Sequence, residues 1–151
     1  DEFINKKLKA AFSFQLAPIF CVGETLEERG QGKTTNIIDN QLREGLRDIN
    51  DENIKTLTIA YEPVWAIGTG KSASPEQANE VHTFIRKFIT KEYGDEIAEG
   101  MVIQYGGSVK PDNINDLLLQ PDIDGALAGG SSLEAKSFLK MIEIADKIAA
   151  G

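Results

Sequence analysis

The chain has 151 residues, 41% of them hydrophobic and 26% charged, which is the length and composition of one ordinary globular domain. A net charge of −8 is unfavourable for a general nucleic-acid binder, and no apolar run approaches the roughly 18 residues that cross a membrane. The single cysteine, Cys21, excludes an internal disulfide, and one His with one Cys is too few for a His/Cys zinc site, so no metal is expected and a reducing cytoplasm is the expected compartment.

Short apolar runs alternate with longer amphipathic stretches, the pattern of βα units on a parallel sheet. The first stretch, Glu2 to about Phe14, spaces Ile4, Leu8, Ala11 and Phe12 on one helical face, and Pro18 ends it before the strand Ile19–Val22. Gly23-Glu24-Thr25 reads as a turn, and Thr35 to Ile49 as a helix with Ile38, Leu42, Leu46 and Ile49 on one stripe. The second strand is Thr56–Tyr61, followed by a loop from Glu62 to Ala73 that is long enough to be functional. Ser74, Pro75 and Gln77 form a helix start with a cap, a first-turn proline and a reciprocal side chain. That helix buries Ala78, Val81, Ile85 and Phe88 or Ile89, and Gly94 is its C-terminal stop. The third strand is Met101–Tyr105, Pro111 to Gln120 has room for a short helix, and the fourth strand spans about Asp124–Ala128. Ser131 and Glu134 suggest a second capping box, opening a helix that buries Ala135, Phe138, Ile142 and Ala145. Residues 1–151 show no linker and no domain boundary, and read as a single domain.

Each strand ends, on its C-terminal side, in Gly, Ser or Glu, and that is the face on which parallel α/β folds build active sites. Glu62 stands at such an end with apolar Val64, Trp65 and Ile67 close behind. A carboxylate that apolar groups cover is a candidate general base, because desolvation raises its pKa toward neutrality. A solvated strand-end acid has the same local pattern, so both readings stay open at this point. Gly68-Thr69-Gly70, Gly106-Gly107-Ser108 and Gly129-Gly130-Ser131 offer backbone N–H groups that an anion can approach; the alternative is plain turns. Gly68 to Ser72 is not a P-loop, since Trp65 stands where its first glycine belongs and the helix is delayed to Pro75. His82 reads as a packing or helix-surface residue and Cys21 as core.

The segment Ala60-Tyr61-Glu62-Pro63-Val64-Trp65-Ala66-Ile67-Gly68-Thr69-Gly70 resembles the catalytic strand and closing loop of the triosephosphate isomerase family. Cys21-Val22-Gly23-Glu24, Tyr105-Gly106-Gly107-Ser108-Val109 and Gly129-Gly130-Ser131-Ser132-Leu133 resemble its fifth, seventh and eighth strand ends, in that order. The resemblance covers the whole chain and implies an α/β fold: four parallel strands with flanking helices, the C-terminal half of a (β/α)8 barrel that needs about 250 residues. It implies an isomerase of glycolysis that interconverts dihydroxyacetone phosphate and glyceraldehyde 3-phosphate without a cofactor. Glu62 is then the base, and Gly68, Ser108, Gly129 and Gly130 hold the substrate phosphate. Residues 64–71 are the lid, and Ile67 with Leu127 is the apolar clamp. Tyr105 and Ser108 hold the lid shut, and Glu24 steadies it open beside Trp65. The family's Asn, Lys and electrophilic His fall before the first residue here, and so does its dimer-forming loop. The expected partners are therefore a triose phosphate and either the N-terminal half-barrel or a second copy, the full-length family being homodimeric. The alternative is a non-catalytic phosphate-binding half-barrel that needs the other half for activity.

Overall fold

The computed structural model describes residues 1–67 and 72–150. Four parallel strands, β1 (Ile19–Val22), β2 (Thr58–Tyr61), β3 (Ile103–Tyr105) and β4 (Gly125–Ala126), lie side by side in sequence order. The register aligns Cys21, Ala60, Gln104 and Gly125 in one row, and Phe20, Ile59 and Ile103 in the next. Because side chains alternate across a strand, the first row faces one side of the sheet and the second faces the other. The two faces differ sharply. Phe20, Val22, Ile59, Tyr61, Ile103 and Tyr105 are buried beneath the helices, whereas Ile19 is 47% exposed and Val102 42% on the opposite face. One face of the sheet is a packed core; the other leaves Ile19, Cys21 and Val102 exposed, with Ala60 buried in its middle.

The helices of the covered face are α1 (Glu2–Ser13), α3 (Thr34–Leu46), α5 (Pro75–Tyr93) and α8 (Ala135–Ala149), with shorter α2 (Leu26–Gly30), α4 (Asp51–Ile54), α6 (Asp95–Gly100) and α7 (Ile114–Leu118). The expected stripes of α3 and α5 are buried throughout. At Ser74 the capping box forms in full: its hydroxyl accepts from Gln77 N–H and the Gln77 side chain accepts from Ser74 N–H. Gly94 ends α5 at φ +89°, a conformation that side-chain-bearing residues rarely adopt.

Several expectations are corrected. In α1 the inner face turns by one residue: Asn5 is buried, with Nδ2 donating to the carbonyls of Gly45 and Arg47, while Ile4 is exposed at the margin. The helix expected to run to Ile49 stops at Leu46, and Asn50 caps the separate α4. Three short helices, α2, α4 and α6, occupy stretches to which the sequence assigns no element. Ser131 does not open a capping box. It lies inside a single 3₁₀ turn, Gly130–Ser132, and α8 begins after Glu134 with no side-chain cap. Of the four residues expected inside α8, Ala135, Phe138 and Ile142 are exposed and Ala145 half-buried; only Met141 is buried in that helix. The cause is position: α8 follows the edge strand β4 and packs against α7, and among the described residues no further strand covers its remaining apolar side. Cys21, expected in the core, is exposed on the face of the sheet opposite the helices.

Candidate active site

The C-terminal ends of the strands meet around Glu62. Its N–H donates to Val22 O at 2.7 Å, and Gly106 N–H donates to Tyr61 O at 2.8 Å, so the loops leaving β1 and β3 flank the carboxylate. Both neighbours must be glycine for this approach. A Cβ on Gly23 would lie 1.8 Å from Glu62 O, and one on Gly106 would lie 2.4 Å from Glu62 Cγ. Although Cys21 is exposed as a residue, its thiol is partly desolvated, and this, followed by the charge of Glu62 and a hydrogen bond to it, pushes it up to about 11. The base candidate therefore projects over the face of the sheet opposite the helices.

An open cleft of about 870 Å³ extends from Glu62 and brings together Ile67, Ser108, Leu127, Gly129 and Gly130. These are residues from three successive strand ends, spread over more than sixty positions of sequence. Gly68 lies outside the described residues. The carbonyls of Gly129 and Gly130 accept from Ser132 and Leu133 N–H, and no heavy atom lies within 4 Å of a Cβ built on either glycine. Lys110 and Lys140 also line the cleft, and the sequence reading had assigned them no role. Lys110 directly follows Ser108-Val109, so a basic residue beside a glycine-rich strand end was a usable signal. Lys140 comes from mid-α8, where only the fold brings it near.

Glu24 is fully buried and holds a second cluster. Its carboxylate accepts from Tyr61 Oη (3.1 Å to each oxygen), Trp65 Nε1 (3.1 Å) and Arg29 Nη1 (3.0 Å). Burial, with the charge of Glu24 second, raises the Tyr61 hydroxyl far above its ordinary pKa, so it stays a donor. Tyr61 was not singled out from the sequence. Tyr105 is also buried; its hydroxyl accepts from Ala73 N–H at 3.1 Å, just beyond the loop that follows Glu62. Ser108 uses its carbonyl to accept from Asn113 Nδ2. Glu24 and Tyr105 thus hold the segments on either side of residues 66–72.

Fold and site together define a parallel α/β chain of the (β/α)-barrel class, with four strands of a (β/α)8 barrel. The family model described as "Triosephosphate isomerase" matches residues 1–145, and the chain belongs to that family. Similar curated relatives are triosephosphate isomerases from Carboxydothermus hydrogenoformans (57% identical over 143 residues, 95% of this chain) and Chloroherpeton thalassium (53% over 146 residues, 97% of this chain). A third, from Dictyoglomus thermophilum, is 54% identical over 143 residues. The chain spans 57 or 58% of the length of each of these relatives.

Proposed function

We propose that this chain supplies the base, phosphate cradle and lid of a triose-phosphate isomerase of glycolysis. The observation that carries the reading is the cleft in which Glu62 faces the Gly129–Gly130 loop, in a chain of this family. Glu62 Oε takes a proton from the carbon alpha to the substrate carbonyl and returns it to the neighbouring carbon, so no cofactor is needed. Backbone N–H groups at Gly68, Gly129 and Gly130, with Ser108, receive the phosphate; their dipoles favour a dianion without a metal. Ile67 and Leu127 close over Glu62 and exclude water. Glu24 through Trp65 and Tyr105 through Ala73 anchor the two ends of the lid, and Ser108 adds a hydrogen bond to it when it closes. The groups that polarise the carbonyl come from the family's N-terminal half-barrel, which is also the expected partner.

The test is complementation. A chimera joins the segment of the C. hydrogenoformans relative that this chain does not match to residues 1–151. It is expected to interconvert the two triose phosphates, and the 151 residues alone to be slower by at least the roughly 10²–10³ that one lost oxyanion donor costs. Equal rates overturn the reading. An inactive chimera that still binds a phosphate monoester favours the second reading, a non-catalytic phosphate-binding half-barrel.

Gly130→Val probes the cradle in the same chimera. The site has open space for the side chain, so the fold tolerates it, but the added methyls stand where a phosphate must approach the backbone. Calorimetry with glycerol 3-phosphate is expected to show binding weaker by about tenfold or more, the worth of one hydrogen bond to a charged group. Unchanged affinity returns these glycines to plain turn residues.

A further inference from the structure

His82 has no part in the chemistry above, yet it occupies the centre of the structure that supports it. It is the single histidine of the chain, lies in mid-α5 and is fully buried. Its Nδ1 is 3.1 Å from the carbonyl of Asp122, so that nitrogen carries the proton and donates. Nε2 is then an acceptor, buried and without a hydrogen-bond partner among the described residues. A buried unpaired polar atom is costly, and an apolar side chain would fill the space without it. Burial holds the imidazole pKa down at about 4, which keeps the ring neutral.

The ring sits against two tyrosines. Its centroid is 5.9 Å from that of Tyr61, edge to face at 83°, and 6.5 Å from that of Tyr105; the two tyrosine rings are 6.2 Å apart. These separations are those at which aromatic pairs attract. Each tyrosine ends on a different anchor of the segment after Glu62. The Tyr61 hydroxyl donates to Glu24, which receives the Trp65 indole N–H. The Tyr105 hydroxyl receives the Ala73 N–H. The tether of His82 is itself fixed: Asp122 accepts from Thr83 Oγ1 and from Arg86 Nε at 2.9 Å, and its N–H donates to Asn79 Oδ1.

We propose that His82 is a positioning residue that couples the two anchors. Hung from Asp122 and set between Tyr61 and Tyr105, its ring fixes their spacing, so that the Trp65 and Ala73 bonds form and open together. The role in gating rests on the lid reading above; the coupling itself does not.

Hydrogen exchange by NMR in the chimera, without substrate, tests it. The probes are the Trp65 indole N–H and the Ala73 amide, with the Ile59 amide, bonded to Val102 O within the sheet, as reference. His82→Asn keeps a donor for Asp122 and removes the ring; His82→Phe keeps a ring and removes the donor. With His82→Asn, protection is expected to fall by about tenfold or more at both probes and by the same factor, while Ile59 holds. With His82→Phe the fall is smaller, and again equal at the two. Different factors, no change, or a fall shared by Ile59, which marks general destabilisation, overturns the proposal. If His82→Asn does not fold, the wild type decides: in low denaturant the two N–H groups should share one opening reaction, and separate slopes overturn it. An inactive chimera sinks the isomerase reading and leaves this coupling standing. In an active chimera, His82→Asn should lower kcat and alter KM together, as a gating defect does.

Discussion

Glu62→Gln in the complemented enzyme is expected to lower kcat by at least the roughly 10²–10⁴ that a lost general base costs, with KM nearly unchanged. Glutamine keeps the shape that fits against Gly106, where the nearest approach is to Cγ rather than to the charged oxygens, and removes only the capacity to take a proton. Glu24→Gln is the control. Its carboxylate does not line the cleft; it binds Tyr61, Trp65 and Arg29 behind it. Losing that charge loosens the hold on Trp65 and should reduce turnover far less. Equal costs from the two substitutions would reverse the assignment. Independently of turnover, the Cys21 thiol is raised in part by the Glu62 charge. Glu62→Gln should therefore lower the thiol pKa and speed alkylation of Cys21 at pH 8, since the thiolate is the nucleophile. An unchanged alkylation rate would mean that Glu62 is not charged beside Cys21.

What the sequence made legible follows from which interactions are local. The helix from Pro75 was readable to the residue because its start is a four-residue motif and its end a glycine. The strand runs are apolar enough to place all four strands, though only Ile19–Val22 has the bounds expected. The helix Leu26–Gly30 was missed although Thr25 and Glu28 form a full capping box, a local signal that was there to be read. Other features were not local. His82 reads from sequence as packing or surface, and which of the two holds is set by Tyr61, Tyr105 and Asp122, which are far away in sequence. Periodicity correctly found an apolar stripe in α8 but could not say whether anything covers it. In the site, the position of Glu62 was legible from its strand end alone. The hold of Glu24 on Trp65 was reached only through the family resemblance, because forty residues separate them.

The 151 residues on their own are expected to sediment at micromolar concentration as a self-associated species larger than 16.5 kDa, and not as a rigid monomer. The sheet ends in two unpaired edges, β1 and β4, and one of its faces carries exposed Ile19 and Val102 with Cys21 between them in the chain. Leu139 and Ile142 of α8 add apolar surface, 56% and 49% exposed. Parallel strands are stable when both faces are covered, and free edges pair with other strands. A twofold dimer is the closed solution, because the same patch serves both copies. It must pair the four-residue β1 with the two-residue β4, so register and shear are weakly specified, and the dimer should melt broadly. Adding the segment of a relative that this chain does not match covers the same face with strands shaped for it. It should convert the associated species into a compact complex with a single cooperative transition. Sedimentation velocity and thermal melting read both outcomes. A compact monomer that melts cooperatively without that segment would mean that the partly exposed face is stable in water and that the half-barrel needs no partner.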